Sequence, residues 1–100
     1  MSIDHLQAAT IFAQLGNDTR LCIIRILVEA GGEGLRVGEI QQEVGVPAST
    51  LSHHLLHLKN AGLIAQHKDR NALVCTAQFD VINSAIDYLQ SACCVRVDTK

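Results

Sequence analysis

Apolar residues recur at intervals of three and four along the N-terminal half of the chain, the spacing that gathers them on one face of a helix. This pattern predicts a first helix from about Ile3 to Leu15 and a second from about Asp18 to Ala30. Gly16 and Asn17 would end the first helix, and Asn17 or Asp18 can cap the second. The positions of the second helix predicted to face inward are Leu21, Ile23 or Ile24, Leu27 and Val28.

The next two helices form a closely spaced pair. After a flexible break at Gly31–Gly34, a short third helix is predicted over about Val37–Val44 and a fourth over about Ala48–Ala61. Gly45–Pro47 forms the turn between them, and proline is well suited to a position at or just before a helix start. The apolar face of the fourth helix comprises Leu51, Leu55, Leu58 and Ala61. Two helices joined by such a turn predict a helix-turn-helix.

The pattern changes after the fourth helix. Leu63–His67 and Ala72–Ala77 have strand character, with a turn at Lys68–Asn71. A final helix is predicted over about Phe79–Val95. Its apolar stripe comprises Ile82, Ala85, Ile86, Leu89 and Cys93. The predicted order is α-α-α-α-β-β-α, a mainly α fold in which a β-hairpin forms the wing of a winged helix-turn-helix.

The outer surface of the fourth helix carries short hydrogen-bonding side chains and histidines, which suit the major groove of DNA. The second helix of a helix-turn-helix places its N-terminal residues against base edges. Cations on the wing would then meet phosphate or the minor groove. The predicted DNA-binding residues are Ser49, Thr50, Ser52, His53, His57, Lys68 and Arg70. In isolation such polar residues would more often be merely solvated, and the helix-turn-helix context is what favours DNA contact.

The histidines of the fourth helix also allow a metal-site interpretation. His53 and His57 have the spacing of a helical metal pair, but a metal there would occupy the DNA face and no Cys or carboxylate completes a set nearby. We therefore expect no metal at these residues. His54 follows the buried stripe, and we interpret it as a partly buried residue that ties the helix to neighbouring backbone.

Length and composition indicate one small domain that needs a partner. The 100 residues predict a single domain over 1–100, and hydrophobic residues form 48% of the chain while aromatics form 3%. So much aliphatic surface in a short chain suggests a homodimer. The first and last helices are the expected dimer interface. The net charge is −2, so DNA affinity would come from a local patch, doubled by dimerisation.

The chain carries no sign of export or membrane insertion. No apolar run approaches the roughly 20 residues needed to span a bilayer, and the N-terminus lacks the basic and apolar regions of a signal peptide. We therefore expect a cytoplasmic protein whose four cysteines are reduced at rest.

Several segments in this order resemble the ArsR/SmtB family of metal-responsive repressors, which are winged-helix homodimers. The matching segments are Leu15–Leu21, Gly38–Ile40, Ser49–Leu55 and Ala61–Ile64, followed by the hairpin. The resemblance covers nearly the whole chain. It implies a repressor that leaves its promoter when an inducer binds.

The adjacent residues Cys93 and Cys94 are the candidate inducer site. Soft thiolates favour thiophilic ions, and two neighbouring sulfurs can chelate one trivalent arsenic or antimony centre. The surrounding Tyr88–Cys94 segment resembles the C-terminal double-cysteine form of arsenic-responsive members. Cys93 is also consistent with a small apolar residue that extends the stripe of the last helix, but this does not account for Cys94. The pair is consistent with arsenite, methylarsenite or antimonite, and with a site within one subunit or across the dimer.

Other sensor sites of the family are absent. The third helix has no cysteine, and the last helix has no histidine for the family's zinc site. Some relatives sense sulfide through one cysteine in the second helix and one in the last. Cys22 is offset by about a turn from that position, which Arg25 occupies, but Cys22 remains a possible third ligand. Cys75 in the wing strand is predicted to be core.

Two other functions of this fold compete with the arsenical response. A thiol-redox or sulfide-responsive repressor would form a vicinal disulfide or polysulfide at Cys93 and Cys94. A winged helix used only for protein contacts would show no salt-dependent duplex binding. An enzyme is not expected, because the sequence has no phosphate-binding glycine loop, no plausible catalytic triad and no C-x-x-C motif. No cofactor is required, and the operator sequence and the regulated genes are left open.

Overall fold

Five helices surround a small sheet in the computed structural model, which describes residues 2–97. The helices are α1 (His5–Leu15), α2 (Asp18–Ala30), α3 (Val37–Val44), α4 (Ala48–Asn60) and α5 (Phe79–Gln90). The strands are β1 (Leu35–Arg36), β2 (Ile64–Asp69) and β3 (Ala72–Ala77). A 3₁₀ turn at Gly31–Glu33 precedes β1. This order confirms the winged helix-turn-helix.

The first two helices begin where side chains cap the free backbone N–H groups. The Asp4 side chain accepts from the backbone N–H of Gln7 at 2.8 Å, and the Gln7 side chain accepts from that of Asp4 at 2.9 Å. This reciprocal pair starts α1 at His5, so the predicted start at Ile3 was two residues early. At α2, Asn17 is the cap, and its side chain accepts from the Arg20 N–H at 3.0 Å.

The sheet has one strand more than the sequence pattern predicts. The strand order is β1-β3-β2, all antiparallel, with Leu35 opposite Cys75. The two-residue strand β1 is too short to show a period of its own. Asp69 pairs with Ala72, so the hairpin turns over Arg70 and Asn71 alone, and β2 runs further than predicted.

The core lies where α2, α3 and α4 pack against the sheet. Its most deeply buried side chains are Ile23, Leu27, Ile40, Leu51, Leu58, Leu63 and Cys75. Cys75 is fully buried, as predicted. Two predicted inward positions of α2 are wrong, because Leu21 is 46% and Val28 42% exposed. Helical periodicity identifies the apolar positions, but it cannot tell which flank of the stripe meets a neighbour within the chain.

The last helix is shorter than predicted. It ends at Gln90, because the next residue, Ser91, has an extended backbone with ψ 143°. The Ser91 hydroxyl donates to the Tyr88 carbonyl at 2.7 Å. The predicted extension to Val95 was therefore wrong, and Cys93 does not continue the stripe: it is exposed and lies beyond the helix. Residues 91–97 are all exposed, so burial of their apolar side chains does not stabilise a longer helix.

No helix within residues 2–97 is long and apolar enough to cross a membrane.

Candidate nucleic-acid interface and cysteine pair

The outward surface of α4 displays most of the predicted DNA-binding residues. Ser49, Thr50, Ser52 and His53 are exposed, and His57 is half-buried one turn further on. Leu51, Leu55 and Leu58 hold the opposite face in the core. The first turn contains no acidic residue, so nothing on it repels phosphate. The arrangement leaves a row of small polar side chains that could enter a major groove.

The wing adds two exposed cations. Lys68 lies near the end of β2, and Arg70 occupies the first position of the two-residue turn. Arg70 has φ 60°, in the left-handed region that favours glycine. An arginine in this strained position places its charge at the tip of the wing.

His53 and His57 lie in contact on α4. Their Nε2 atoms are 3.0 Å apart, and the rings are nearly perpendicular at 87°. One nitrogen must therefore donate to the other, so the neutral pair uses opposite tautomers. Sequence spacing showed that the two residues share a face, but not that their rings meet.

His54 is half-buried, but it does not bond to backbone as the sequence interpretation expected. Its Nδ1 accepts from Nη1 of Arg20 at 3.3 Å, while Nε of Arg20 donates to the Gln14 carbonyl at 2.8 Å. Burial and the Arg20 charge lower the pKa of His54, with smaller contributions from His53 and His57. Arg20 thus connects the α1–α2 corner to α4. Arg20 lies within the Leu15–Leu21 segment, but its bond to His54 could not be predicted from the sequence.

Cys93 and Cys94 lie in a series of tight turns after α5. Successive backbone N–H groups of Ser91, Cys93, Val95 and Val97 each bond to the carbonyl three residues earlier. Ala92 and Cys94 have φ 57° and 65°, so a left-handed residue lies on each side of Cys93. Both cysteines are exposed, and their sulfur atoms are 3.2 Å apart. The turns thus bring together the two thiols of the candidate inducer site.

The two thiols share a hydrogen bond. The hydrogen bond with Cys93 raises the pKa of Cys94, and slight desolvation acts in the same direction. The Cys94 thiol is therefore protonated near neutral pH, and both thiols are accessible from solvent. A trivalent metalloid hydroxide can form one bond to each sulfur, and the thiol protons then leave with its hydroxide ligands as water.

The third predicted ligand does not join this pair within one chain. Cys22 is exposed on α2, and residues 2–97 contain no group of three or more His, Cys, Asp or Glu that could hold a metal ion. A contribution from Cys22 would have to come across a subunit interface.

The helices that precede and follow the winged domain pack against each other. A hydrogen bond of 2.6 Å joins Nδ1 of His5 on α1 to the hydroxyl of Tyr88 on α5. The same two helices expose large apolar side chains, with Leu6 75%, Ile86 46% and Leu89 70% exposed. The segment that carries the cysteine pair directly follows α5 in the chain.

Known proteins match both the sequence and the fold. A family model described as a helix-turn-helix domain matches residues 15–67. An HTH-type transcriptional regulator of Methanocaldococcus jannaschii is 41% identical over 63% of this chain and 68% of its own length. A putative arsenical resistance operon repressor, ArsR, of Halobacterium salinarum is 42% identical over 59% of this chain and 45% of its own.

Solved structures extend the likeness over the whole chain. An ArsR family transcriptional regulator, RHA00566, superposes with a TM-score of 0.81 over 100% of both chains at 19% identity. Rv0081 of Mycobacterium tuberculosis has a TM-score of 0.66 at 32% identity, covering 90% of this chain and 92% of its own. The homodimeric winged helix-turn-helix domain of Mb0332 from Mycobacterium bovis, 23% identical, has a TM-score of 0.68 over 94% and 87% of the two chains.

These similarities define the class of protein. The chain belongs to the helix-turn-helix family of DNA-binding transcriptional regulators, a class of DNA-binding proteins and not of enzymes. Its fold is that of an ArsR family regulator. The family match ends at residue 67, before α5 and the cysteine pair, so the inducer must be argued from the pair itself.

Proposed function

We propose that the protein is a homodimeric repressor that leaves its operator when a trivalent arsenical or antimonite binds Cys93 and Cys94. The observation that carries the inducer assignment is the 3.2 Å separation of two exposed sulfur atoms. Two sulfurs at this distance can bond one arsenic or antimony centre without large backbone movement. Such a centre takes few ligands in a pyramid. A methylated arsenical already has one position filled by carbon, whereas arsenite needs a third ligand.

The DNA half of the proposal assigns operator contact to α4 and the wing. Ser49, Thr50, Ser52 and His53 would approach bases or phosphates, with His57 one turn further along. Lys68 and Arg70 would meet the backbone or the minor groove beside it. The relatives are DNA-binding regulators, which supports this assignment.

The dimer half assigns the interface to α1 and α5. Their exposed apolar residues Leu6, Ile86 and Leu89 would be covered by the same residues of a second copy, the self-complementary contact of a two-fold dimer. The homodimeric state of Mb0332, which has the same fold, supports dimerisation. Two subunits would then present two copies of α4 to successive turns of the duplex.

Coupling between the two sites follows from the position of the cysteines. They lie a few residues beyond α5, and Tyr88 at the end of that helix bonds to His5 of α1. An ion that draws both sulfurs into one pyramid would reshape this helix end and thereby shift the spacing between the two α4 helices. A coupling of about 1–3 kcal/mol changes DNA affinity by about 5–150-fold, and DNA must weaken inducer binding by the same factor.

The experiment is a titration of the purified protein on its own upstream DNA with arsenite, methylarsenite and antimonite. The parent protein should be released, whereas the double variant Cys93→Ser, Cys94→Ser should still bind DNA and resist release. Cys22→Ser provides the matched comparison. It should weaken the response to arsenite, but not to methylarsenite, if Cys22 of a partner subunit supplies the third ligand. Release that persists in the double serine variant contradicts the proposed site.

The same sulfur–sulfur distance favours a second candidate, a thiol-redox repressor. A vicinal disulfide would form if both thiols lost their protons and passed two electrons to a peroxide or a polysulfide. Intact-mass measurement separates the candidates: an arsenical adds arsenic, disulfide formation removes two hydrogens, and persulfidation adds sulfur. Release accompanied only by the loss of hydrogens would replace the arsenical assignment with the redox one.

A further inference from the structure

The paired histidines on α4 bring two imidazole nitrogens to a separation that one metal ion can span. The Nε2 atoms of His53 and His57 lie 3.0 Å apart, and the ring centroids are 4.4 Å apart. His53 is exposed and His57 half-buried, so solvent reaches the pair. Neutral imidazole nitrogens are the commonest protein ligands of transition metals. From spacing alone we expected no metal here, and the contact between the rings changes that inference.

The number of histidine ligands and their separation favour one class of ion. With metal–nitrogen bonds of about 2.0–2.1 Å, a nitrogen separation of 3.0 Å gives an angle of about 94° at the metal. This is close to the angle between neighbouring ligands in a square-planar or octahedral complex. A tetrahedral ion such as Zn²⁺ would need only a slightly larger separation of about 3.3 Å, but its sites take three or four protein ligands and this pair offers two. Square-planar and tetragonal nitrogen sites are typical of Cu²⁺ and Ni²⁺.

No further side chain in the described part of the chain is available to a metal ion bound by His53 and His57, so water would fill its remaining coordination positions. His54 lies next to the pair, with its ring centroid 6.3 Å from that of His53, but its Nδ1 already accepts from Arg20. No third His, Cys, Asp or Glu completes a ligand group anywhere in residues 2–97. A bound ion would therefore keep several waters and project them outward from α4.

We propose that His53 and His57 chelate one Cu²⁺ or Ni²⁺ ion on the outer surface of α4, and that the hydrated ion excludes DNA. The exclusion rests on the proposed role of α4 in the major groove. An ion with its water ligands stands between the helix and the base edges, and it occupies both ring nitrogens that would otherwise face the duplex. Binding requires both Nε2 atoms to be free of protons, so the donating histidine shifts its proton to Nδ1.

The chelate is tested on free protein, without DNA. Untagged protein carrying Cys93→Ser and Cys94→Ser, which removes the competing thiol pair, is titrated with nickel chloride in a calorimeter. We expect one nickel ion per chain. His53→Ala should weaken binding at least about tenfold, because it leaves a single imidazole without a chelating partner. The control His67→Ala removes an exposed histidine of the wing and should leave binding unaltered.

A spectroscopic measurement guards against a variant that misfolds. Electron paramagnetic resonance of the Cu²⁺ complex of the same protein should show two equatorial nitrogen ligands. No binding of nickel, equal nickel affinity with and without His53, or a copper spectrum with a single nitrogen would each overturn the chelate.

The effect on DNA binding is then measured with the same protein, in which Cys93 and Cys94 are replaced by serine. Nickel should weaken binding to the upstream DNA in this protein, and EDTA should restore it. The His53→Ala derivative, whose DNA affinity we expect to be lower because His53 is a proposed DNA contact, is compared with its own affinity without nickel, and that affinity should not change when nickel is added. Nickel that binds free protein but leaves DNA affinity unchanged would overturn the exclusion. Failure of the arsenical proposal is distinguishable, because it would appear as persistent arsenite release in the serine variant while nickel binding to free protein is unaffected.

Discussion

Nη1 of Arg20 donates to Nδ1 of His54 across 3.3 Å, joining the first turn of α2 to the middle of α4. The same guanidinium donates through Nε to the Gln14 carbonyl at the end of α1. One side chain therefore fixes the position of α4 relative to the corner between the first two helices. The bond requires His54 to be neutral, because a protonated imidazole has no lone pair to accept it.

This relationship predicts that the fold loses stability in acid. The pKa of His54 is lowered in the folded protein by burial and by Arg20, so the unfolded chain binds the proton more tightly. The stability contribution is complete above the ordinary histidine pKa of about 6.5 and falls as pH drops through that value towards the lower folded pKa. We expect His54→Gln to reduce the loss of stability between about pH 7 and pH 5, since glutamine can accept from Arg20 without titrating. Urea unfolding at both pH values, with EDTA present, measures this, and an unchanged slope contradicts it.

Gly34 should be intolerant of any side chain. Its φ is 71°, and an added Cβ would lie 2.2 Å from the backbone oxygen of Cys75 in the adjoining strand. Gly34→Ala should therefore cost at least about 2 kcal/mol, from left-handed strain together with overpacking against backbone. Gly32→Ala is the control, because nothing lies within 4 Å of its added Cβ. Thermal unfolding at a fixed protein concentration should show a large loss for Gly34→Ala alone, and equal melting temperatures would contradict the strand contact.

Arg70→Gly should separate DNA affinity from stability. Glycine relieves the strain of φ 60° at the wing tip, so stability should be kept or should rise by about 1 kcal/mol. Removal of one phosphate contact from each wing of a dimer should reduce the slope of log affinity against log salt by about 2. Arg25→Ala, which removes an exposed cation from α2, should leave that slope unaltered. If Arg70→Gly also leaves the salt slope unaltered, Arg70 does not contact phosphate.

The four cysteines should react at very different rates with an alkylating reagent. Cys75 is fully buried, and burial raises its pKa, with a smaller opposing effect from the Gln66 amide at 3.5 Å. Because the thiolate is the reactive form, Cys75 should stay unmodified in the folded protein while Cys22, Cys93 and Cys94 are labelled. Peptide mass mapping after brief labelling tests this. Early modification of Cys75 without unfolding would show that the wing strand opens.

Arsenite affinity should not rise with pH, and it should fall where the thiols ionise. The hydrogen bond with Cys93 raises the pKa of Cys94, so this thiol is protonated at neutral pH. Arsenite is a neutral hydroxide there, and each thiol proton leaves with one of its hydroxides as water, so binding releases no net proton. Arsenite titrations of the free protein at about pH 7, 8 and 9 should therefore give similar affinities at the two lower values and weaker binding at the highest. Affinity that increases steadily over this range would contradict ligation by the two thiols.

Some features of the structure could be predicted from the sequence because they depend on interactions between residues close together in the chain. The bounds of α3 and β3 agree with those predicted, because each has a periodic apolar pattern between glycine, proline or polar breaks. The polar surface of α4 was predicted for the same reason: once Leu51, Leu55 and Leu58 are buried, the remaining positions must face outward. The adjacency of Cys93 and Cys94 is a property of the sequence itself.

Tertiary structure decided everything that depends on a distant neighbour. It paired Arg20 with His54 across 34 positions, and it recruited Leu35 and Arg36 into a strand that only β3 can stabilise. It also ended α5 at Gln90: the helical spacing of apolar residues continues to Cys93, but the side chains beyond Gln90 are not packed against the rest of the described chain. A local pattern states which side chains share a face, but whether that face is covered, and by what, depends on residues brought near only by the fold.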